Sequence, residues 1–196
     1  MIIDEQHRFG VEQRQKIISK AGHMPHVLCL TATPIPRSLA LTIYGELDIS
    51  IVKSAPTTRA GVKTELISPN STLQMYQQVK KSVQAGRQAF IVCPLIEDSE
   101  NSKLTSADQI YKELTRGIFK DLAVGLVHGK LKPTEKNQIM SDFAQNKIQV
   151  LVATTVVEVG IDVPNATEMV ILNADRFGLA QLHQLRGRVG RGVHGA

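Results

Sequence analysis

Short apolar runs alternate along this chain with segments of helical periodicity, and that alternation limits the fold more than any other feature. The runs are Val27 to Leu30, Ala89 to Cys93, Ala123 to Val127, Val150 to Ala153 and Met169 to Leu172. Each is too short for a helix and rich in Val, Ile or Leu, so each reads as a strand buried on both faces. Between them, Leu73, Tyr76, Val79 and Val83 follow Ser71 at helical spacing, and Gly86 stands where a C-terminal cap belongs. Ala107, Ile110, Tyr111 and Leu114 before Gly117 repeat the plan, as do Ile139, Met140, Phe143 and Ala144 after Pro133. The pattern predicts an α/β fold, a parallel sheet with helices on both faces. Ligands of such sheets gather beyond the carboxyl ends of the strands, which directs attention to the loops after Ile3, Leu30, Val127, Ala153 and Leu172.

A chain of 196 residues holds one full core or two small ones. Ser54 to Gly61 carries Pro and Gly without an apolar period and reads as a break in the chain. Residues 54–60 are therefore expected to be a linker between an incomplete unit, 1–53, and a nearly complete one, 61–196. The first unit offers at most three strands, Met1 to Ile3, Val27 to Leu30 and Ile49 to Val52, and Glu97 to Ser106 looks like a polar surface loop. The formal charge of +5 suits a polyanionic partner but does not specify one. Cys29 and Cys93 lie inside apolar runs and are expected to be small buried hydrophobes, with no disulfide framework or zinc spacing. No basic and apolar leader opens the chain and no run approaches a membrane span, so a cytoplasmic setting is the default expectation.

Three segments carry unusual chemistry. Ile2-Ile3-Asp4-Glu5-Gln6-His7 runs an apolar strand into two carboxylates. Such a strand end can hold Mg²⁺ on the Asp while the Glu orients water, or it can be a solvated acidic turn. Leu30-Thr31-Ala32-Thr33-Pro34-Ile35-Pro36-Arg37 reads locally as a rigid turn, with Thr33 as N-cap and Pro34 at the first helical position. Gln184-Leu185-Arg186-Gly187-Arg188-Val189-Gly190-Arg191 crowds three arginines that an anion would compensate. Guanidinium forks match phosphate oxygens, so the segment fits phosphoryl-transfer stabilisation or a basic grip on nucleic acid.

Taken in order, these segments resemble the motifs of superfamily 2 helicases. Asp4-Glu5-Gln6-His7 is similar to their Walker B motif, Thr31-Ala32-Thr33 to the third, Ala153 to Pro164 to the fifth, and Gln184 to Arg191 to the sixth. The strings DEQHRFGVEQR, TATPIPRSLA, VATTVVEVGIDVPNA and FGLAQLHQLRGRVGRG resemble the RecG family of branched-DNA helicases. The transcription-repair coupling translocases share TATPIPR and FGLAQLHQLRGRVGR, whereas CPLIEDSE and LVHGKLKP favour the first family. The resemblance implies a RecA-like second lobe preceded by part of a first, with ATP and Mg²⁺ as cofactors and branched or double-stranded DNA as partner.

The resemblance also implies roles. Asp4 would hold Mg²⁺, Glu5 would activate water, and His7 would link nucleotide state to the neighbouring motif. Thr31 and Thr33 would couple hydrolysis to movement, Gly160 and Asp162 would meet the nucleotide, and Gln184, Arg188 and Arg191 would face the γ-phosphate. Thr154 matches a position that would touch a nucleic-acid phosphate. Apart from the resemblance, the backbone after His128, including Gly129, leads from a strand's carboxyl end to the helix expected at Pro133, where amides can take DNA phosphates. No Gly-x-x-x-x-Gly-Lys-Ser/Thr phosphate loop occurs in the chain. The expectation is therefore a piece of a larger motor, inactive alone as an ATPase, that lacks N-terminal domains of the same parent. Its truncated first lobe is expected to be loosely ordered, rearranged or packed on a second copy.

Overall fold

A strand turns successive side chains to opposite faces, so a strand apolar at every position needs a layer on each side. That requirement organises the second half of the chain. The protein is described here by a computed structural model, which covers residues 1–3, 16, 19–20, 26–31, 48, 50–52, 61–94, 106–154, 163–192 and 195–196. The chain divides into two compact units, Met1–Val52 and Lys53–Ala196.

In the first unit, β1 (Ile2–Ile3) and β2 (Leu28–Cys29) pair in parallel, with Ile2 opposite Leu28 and Ile3 opposite Cys29. Ile3 is buried, but Ile2, Leu28 and Leu30 are exposed. Cys29 is only half-buried, against the sequence expectation, because a two-residue ladder gives its side chain little surface to pack on. The strand expected at Ile49 to Val52 does not form over the described residues Ser50 to Val52, where Ile51 and Val52 are exposed.

The second unit starts with a 3₁₀ turn at Pro69–Ser71 and helix α1 (Thr72–Gln84), followed by β3 (Gln88–Val92) and α2 (Ser106–Arg116). Next come β4 (Val124–Val127), α3 (Pro133–Ala144), β5 (Val150–Ala153) and β6 (Ala166–Ile171). A 3₁₀ turn at Ala174–Arg176 leads to α4 (Leu179–Arg186). The strands form one parallel sheet in the order β4-β5-β3-β6. The α/β fold expected from the sequence is the one observed.

Parity assigns the layers. Phe90, Val92, Leu151 and Ala153 point to one face, where they pack with Phe143 of α3 and Leu185 of α4. Ala89, Ile91, Val150 and Val152 point to the other and pack with Val79 and Val83 of α1 and Ala107 and Leu114 of α2. Burial on both faces holds only for the central strands β3 and β5. The outer strands β4 and β6 mix buried and half-buried positions, because each has one described neighbour in the sheet. The ring of Phe90 meets that of Phe143 at 4.9 Å, and Tyr76 meets Phe119 edge-on at 5.8 Å.

Helix ends follow local chemistry. Gly86 closes α1 with a left-handed φ of 90° while its amide donates to Val83 O, as expected of a C-terminal glycine. Ser106, expected at the end of a loop, is instead the first residue of α2. A buried glutamine ties the amino edge of the sheet together. Gln88 Nε2 donates to Phe143 O at 2.6 Å and Ile148 O at 2.8 Å, and its Oε1 accepts from Asn165 Nδ2 at 3.3 Å. Sequence pattern began this strand one residue later and β6 three residues later. The polar Gln88, Thr167 and Glu168 masked the apolar signal, although Gln88 and Thr167 are buried and Glu168 accepts a hydrogen bond from Ser82 Oγ at 2.7 Å.

Candidate functional site

Parallel strands of matched register end level, and here they place several chain reversals side by side. Thr154 N donates to Val127 O at 3.2 Å, Cys93 N to Ala153 O at 2.8 Å and Leu172 N to Val92 O at 2.9 Å. His128 and Thr154, the first residues past β4 and β5, therefore stand at neighbouring strand ends on the carboxyl edge. Their surroundings differ. Gly129 is exposed with open space around its α-carbon, and His128 is half-buried. Thr154 is 1% exposed, and its hydroxyl has no hydrogen-bond partner among the described residues. A phosphate contact by that hydroxyl requires the side chain to become accessible.

The turn from His128 into α3 is tightly braced. Leu131 N donates to His128 O, Lys136 Nζ donates to Gly129 O at 3.2 Å, and Lys132 N donates to Glu135 Oε2 at 3.1 Å. Glu135 thus supplies half of a capping box, and a lysine at the N-cap has no acceptor with which to return the bond. Pro133 at the first helical position adds the preset φ that favours this start. Lys130 and Lys132 remain exposed on the turn.

The arginine segment occupies the end of α4 and the turn beyond it. Gln184 and Arg188 are half-buried, Leu185 and Val189 anchor the segment in the core, and Gly190 takes a left-handed φ of 67°. Arg186 Nη2 donates to Val62 O at 3.1 Å, and Arg191 Nε donates to Gly187 O at 2.7 Å. Crowding of the three arginines therefore does not depend on an external anion alone, as the sequence suggested, since backbone carbonyls engage two of them. A β-carbon on Gly192 would lie 2.5 Å from Pro164 O, so the end of this segment is seated directly on the approach to β6. Val163 and Val189 share the same core cluster. Sequence reasoning missed Gly192, whose only signal was one more glycine in a glycine-rich string. It also missed Asp108, whose Oδ1 lies 3.9 Å from His128 Nε2.

Of the other candidates, Thr31 is exposed just after β2. Asp4, Glu5, His7, Thr33, Gly160 and Asp162 lie outside the described residues. No group of three or more His, Cys, Asp or Glu able to hold a metal occurs among the described residues. Burial pushes the Cys93 thiol and the Tyr76 hydroxyl up to about 12, which suits core packing rather than chemistry. No helix among the described residues is long and apolar enough to cross a membrane.

Residues 71–193 match the helicase conserved C-terminal domain. The chain belongs to that family. It is 51% identical over 194 residues to the ATP-dependent DNA helicase RecG of Synechocystis, covering 99% of this chain and 23% of the relative. With RecG of Bacillus subtilis it shares 52% over 194 residues, covering 99% and 28% respectively. A solved structure of RecG bound to a three-way DNA junction superposes with a TM-score of 0.74 at 47% identity, over 97% of this chain and 24% of that one. Dbp5 of S. cerevisiae bound to RNA and ADP BeF3, at 16% identity, covers 99% of this chain and 50% of the other with a TM-score of 0.62, a likeness of fold alone. The chain thus spans about a quarter of the length of the RecG relatives it matches. The expected RecA-like helicase fold and the resemblance to RecG are both found.

Proposed function

We propose that the chain works as part of an ATP-dependent DNA helicase that moves on branched or double-stranded DNA in recombination, repair and replication-fork rescue. Residues 61–196 form its second motor lobe and 1–53 part of its first. The observation that carries this reading is the identity of about half the residues, along nearly the whole chain, with helicases named RecG. Four helicase-like motifs in order add to it.

The donor set suits a magnesium nucleotide in both charge and type. Asp4 and Glu5 offer carboxylates for Mg²⁺ and water, and Gln184, Arg188 and Arg191 offer donors that match phosphate oxygens. MgATP, when bound by the intact motor, would supply the free energy of phosphoanhydride hydrolysis. The Arg191 guanidinium, oriented by its bond to Gly187 O, is preset rather than recruited, and preorganised charge is what stabilises phosphoryl transfer. His7, Gly160 and Asp162 belong with the nucleotide, and Thr31 and Thr33 with coupling between lobes. Thr154, His128 and Gly129 face the DNA side, where exposed Lys130 and Lys132 add positive charge.

The test is an ATPase measurement on the chain alone and on a chain extended upstream to include a phosphate loop. Negligible turnover alone and DNA-stimulated turnover in the extended protein are expected, because catalytic charge without a phosphate cradle has no positioned substrate. In the extended protein, Arg188→Ala should slow hydrolysis by about 10³-fold or more while nucleotide binding persists. DNA binding without any hydrolysis in the extended protein would instead establish a non-hydrolysing binding module.

A further inference from the structure

His128 holds its turn from the inside. Its Nδ1 accepts the Lys130 amide at 3.3 Å, so the neutral ring carries its proton on Nε2, and that atom faces Asp108 Oδ1 across 3.9 Å. The separation exceeds a hydrogen bond and leaves an electrostatic restraint on the ring. The side chains are only 12% and 21% exposed, so solvent screens the pair little. Asp108 reaches over from the first turn of α2, where the helix amides favour a carboxylate. Glu135, which also borders the turn, is engaged by the Lys132 amide, and Lys136 by Gly129 O.

By charge alone, a carboxylate close to a phosphate-binding turn weakens the turn's hold on nucleic acid. Here the carboxylate faces the ring nitrogen of the histidine at 3.9 Å, close enough to restrain it. We infer that Asp108 is a positioning residue: it orients His128, and through it the Lys130-bearing turn, toward the phosphate backbone of nucleic acid. The inference rests on the DNA-binding reading above and concerns the same site.

Two accounts of Asp108 differ in sign, and that difference makes the test. Binding of a fluorescein-labelled duplex of mixed sequence to the chain is measured across a salt series, with a thermal melt for each variant. If Asp108 acts only through its charge, Asp108→Ala tightens binding. If it positions the turn, Asp108→Ala loosens binding several-fold at an unchanged melting temperature. The slope of log affinity against log salt then flattens by about 1, as it does when a single phosphate is no longer neutralised. The effects of Asp108→Ala and His128→Ala should then fail to add, the double variant binding no worse than His128→Ala. If Asp108→Ala melts early, Asp108→Asn keeps the shape, removes the charge and should shift binding in the same direction. Tighter or unchanged binding, or additive effects, would overturn the role of Asp108 while leaving the DNA reading intact. Failure of the unaltered chain to bind in a salt-dependent way would overturn the reading and the inference with it.

Discussion

Val27-Leu28-Cys29-Leu30 and Val150-Leu151-Val152-Ala153 are interchangeable as sequence, each a short apolar run that reads as a buried parallel strand. In the structure they part company. Every residue of β5 is buried, between β3 and β4 in the plane and between two helical layers across it. Of the other run, Leu28 is 54% exposed and Leu30 43%, with β1 as the only strand paired to it among the described residues. The comparison teaches that a run of apolar residues specifies a wish to be buried, and that the surrounding layers decide whether the wish is met.

Paired substitutions test this contrast most severely. Leu151→Ala should cost about 2–5 kcal/mol, since it opens a cavity in a closed core, whereas Leu28→Ala should cost under about 1 kcal/mol. Urea denaturation followed by circular dichroism measures both, and equal losses would erase the distinction. Glycines give a second contrast within the larger unit. Gly192→Ala drives a β-carbon into Pro164 O and should destabilise by about 1–3 kcal/mol. Gly129→Ala, which meets nothing within 4 Å, should stay within about 0.5 kcal/mol.

Hydrogen exchange sharpens the comparison without changing a residue. Amides of β5 should exchange only through global opening, and those of Leu28 and Leu30 through cheaper local events. Equal protection of the two runs in a monomer would mean that the first unit folds on its own core. Thiol chemistry supplies the gentlest probe. Cys29 is half-buried and Cys93 fully buried with its thiol pushed up to about 12, so iodoacetamide should modify Cys29 first in the native protein. A mass-resolved time course showing Cys93 ahead would contradict the packing described.

The sequence made the fold legible where apolar period and length agreed. Val150 to Ala153 was placed to the residue, and the helices closed by Gly86 and Gly117 were placed to within one or two. It was less legible where polar residues serve the interior, as at Gln88 and Thr167, because composition registers their polarity and not their partners. Motif order pointed to the helicase family before any geometry. The same strings could not show that Arg186 is engaged by Val62 O, nor that the Thr154 hydroxyl is enclosed, since both depend on neighbours far away in the chain. Asp108 had no motif to announce it. Its relation to His128 exists only because α2 and β4 are packed together.

Lys63 N donates to Ala196 O, and Ala196 N to Gly61 O, which sets Val62 beside Ala196 as a single rung of parallel pairing. Arg186 grips the same short stretch from the helix that carries Gln184. Mechanically, Gly61 to Lys63 and Ala196 are moored at one post. Tension entering along the chain at Gly61 would be borne first by this rung and this guanidinium, and only later by the sheet. A pull there would strain the arginine helix before any strand, as a rope strains its cleat before the hull.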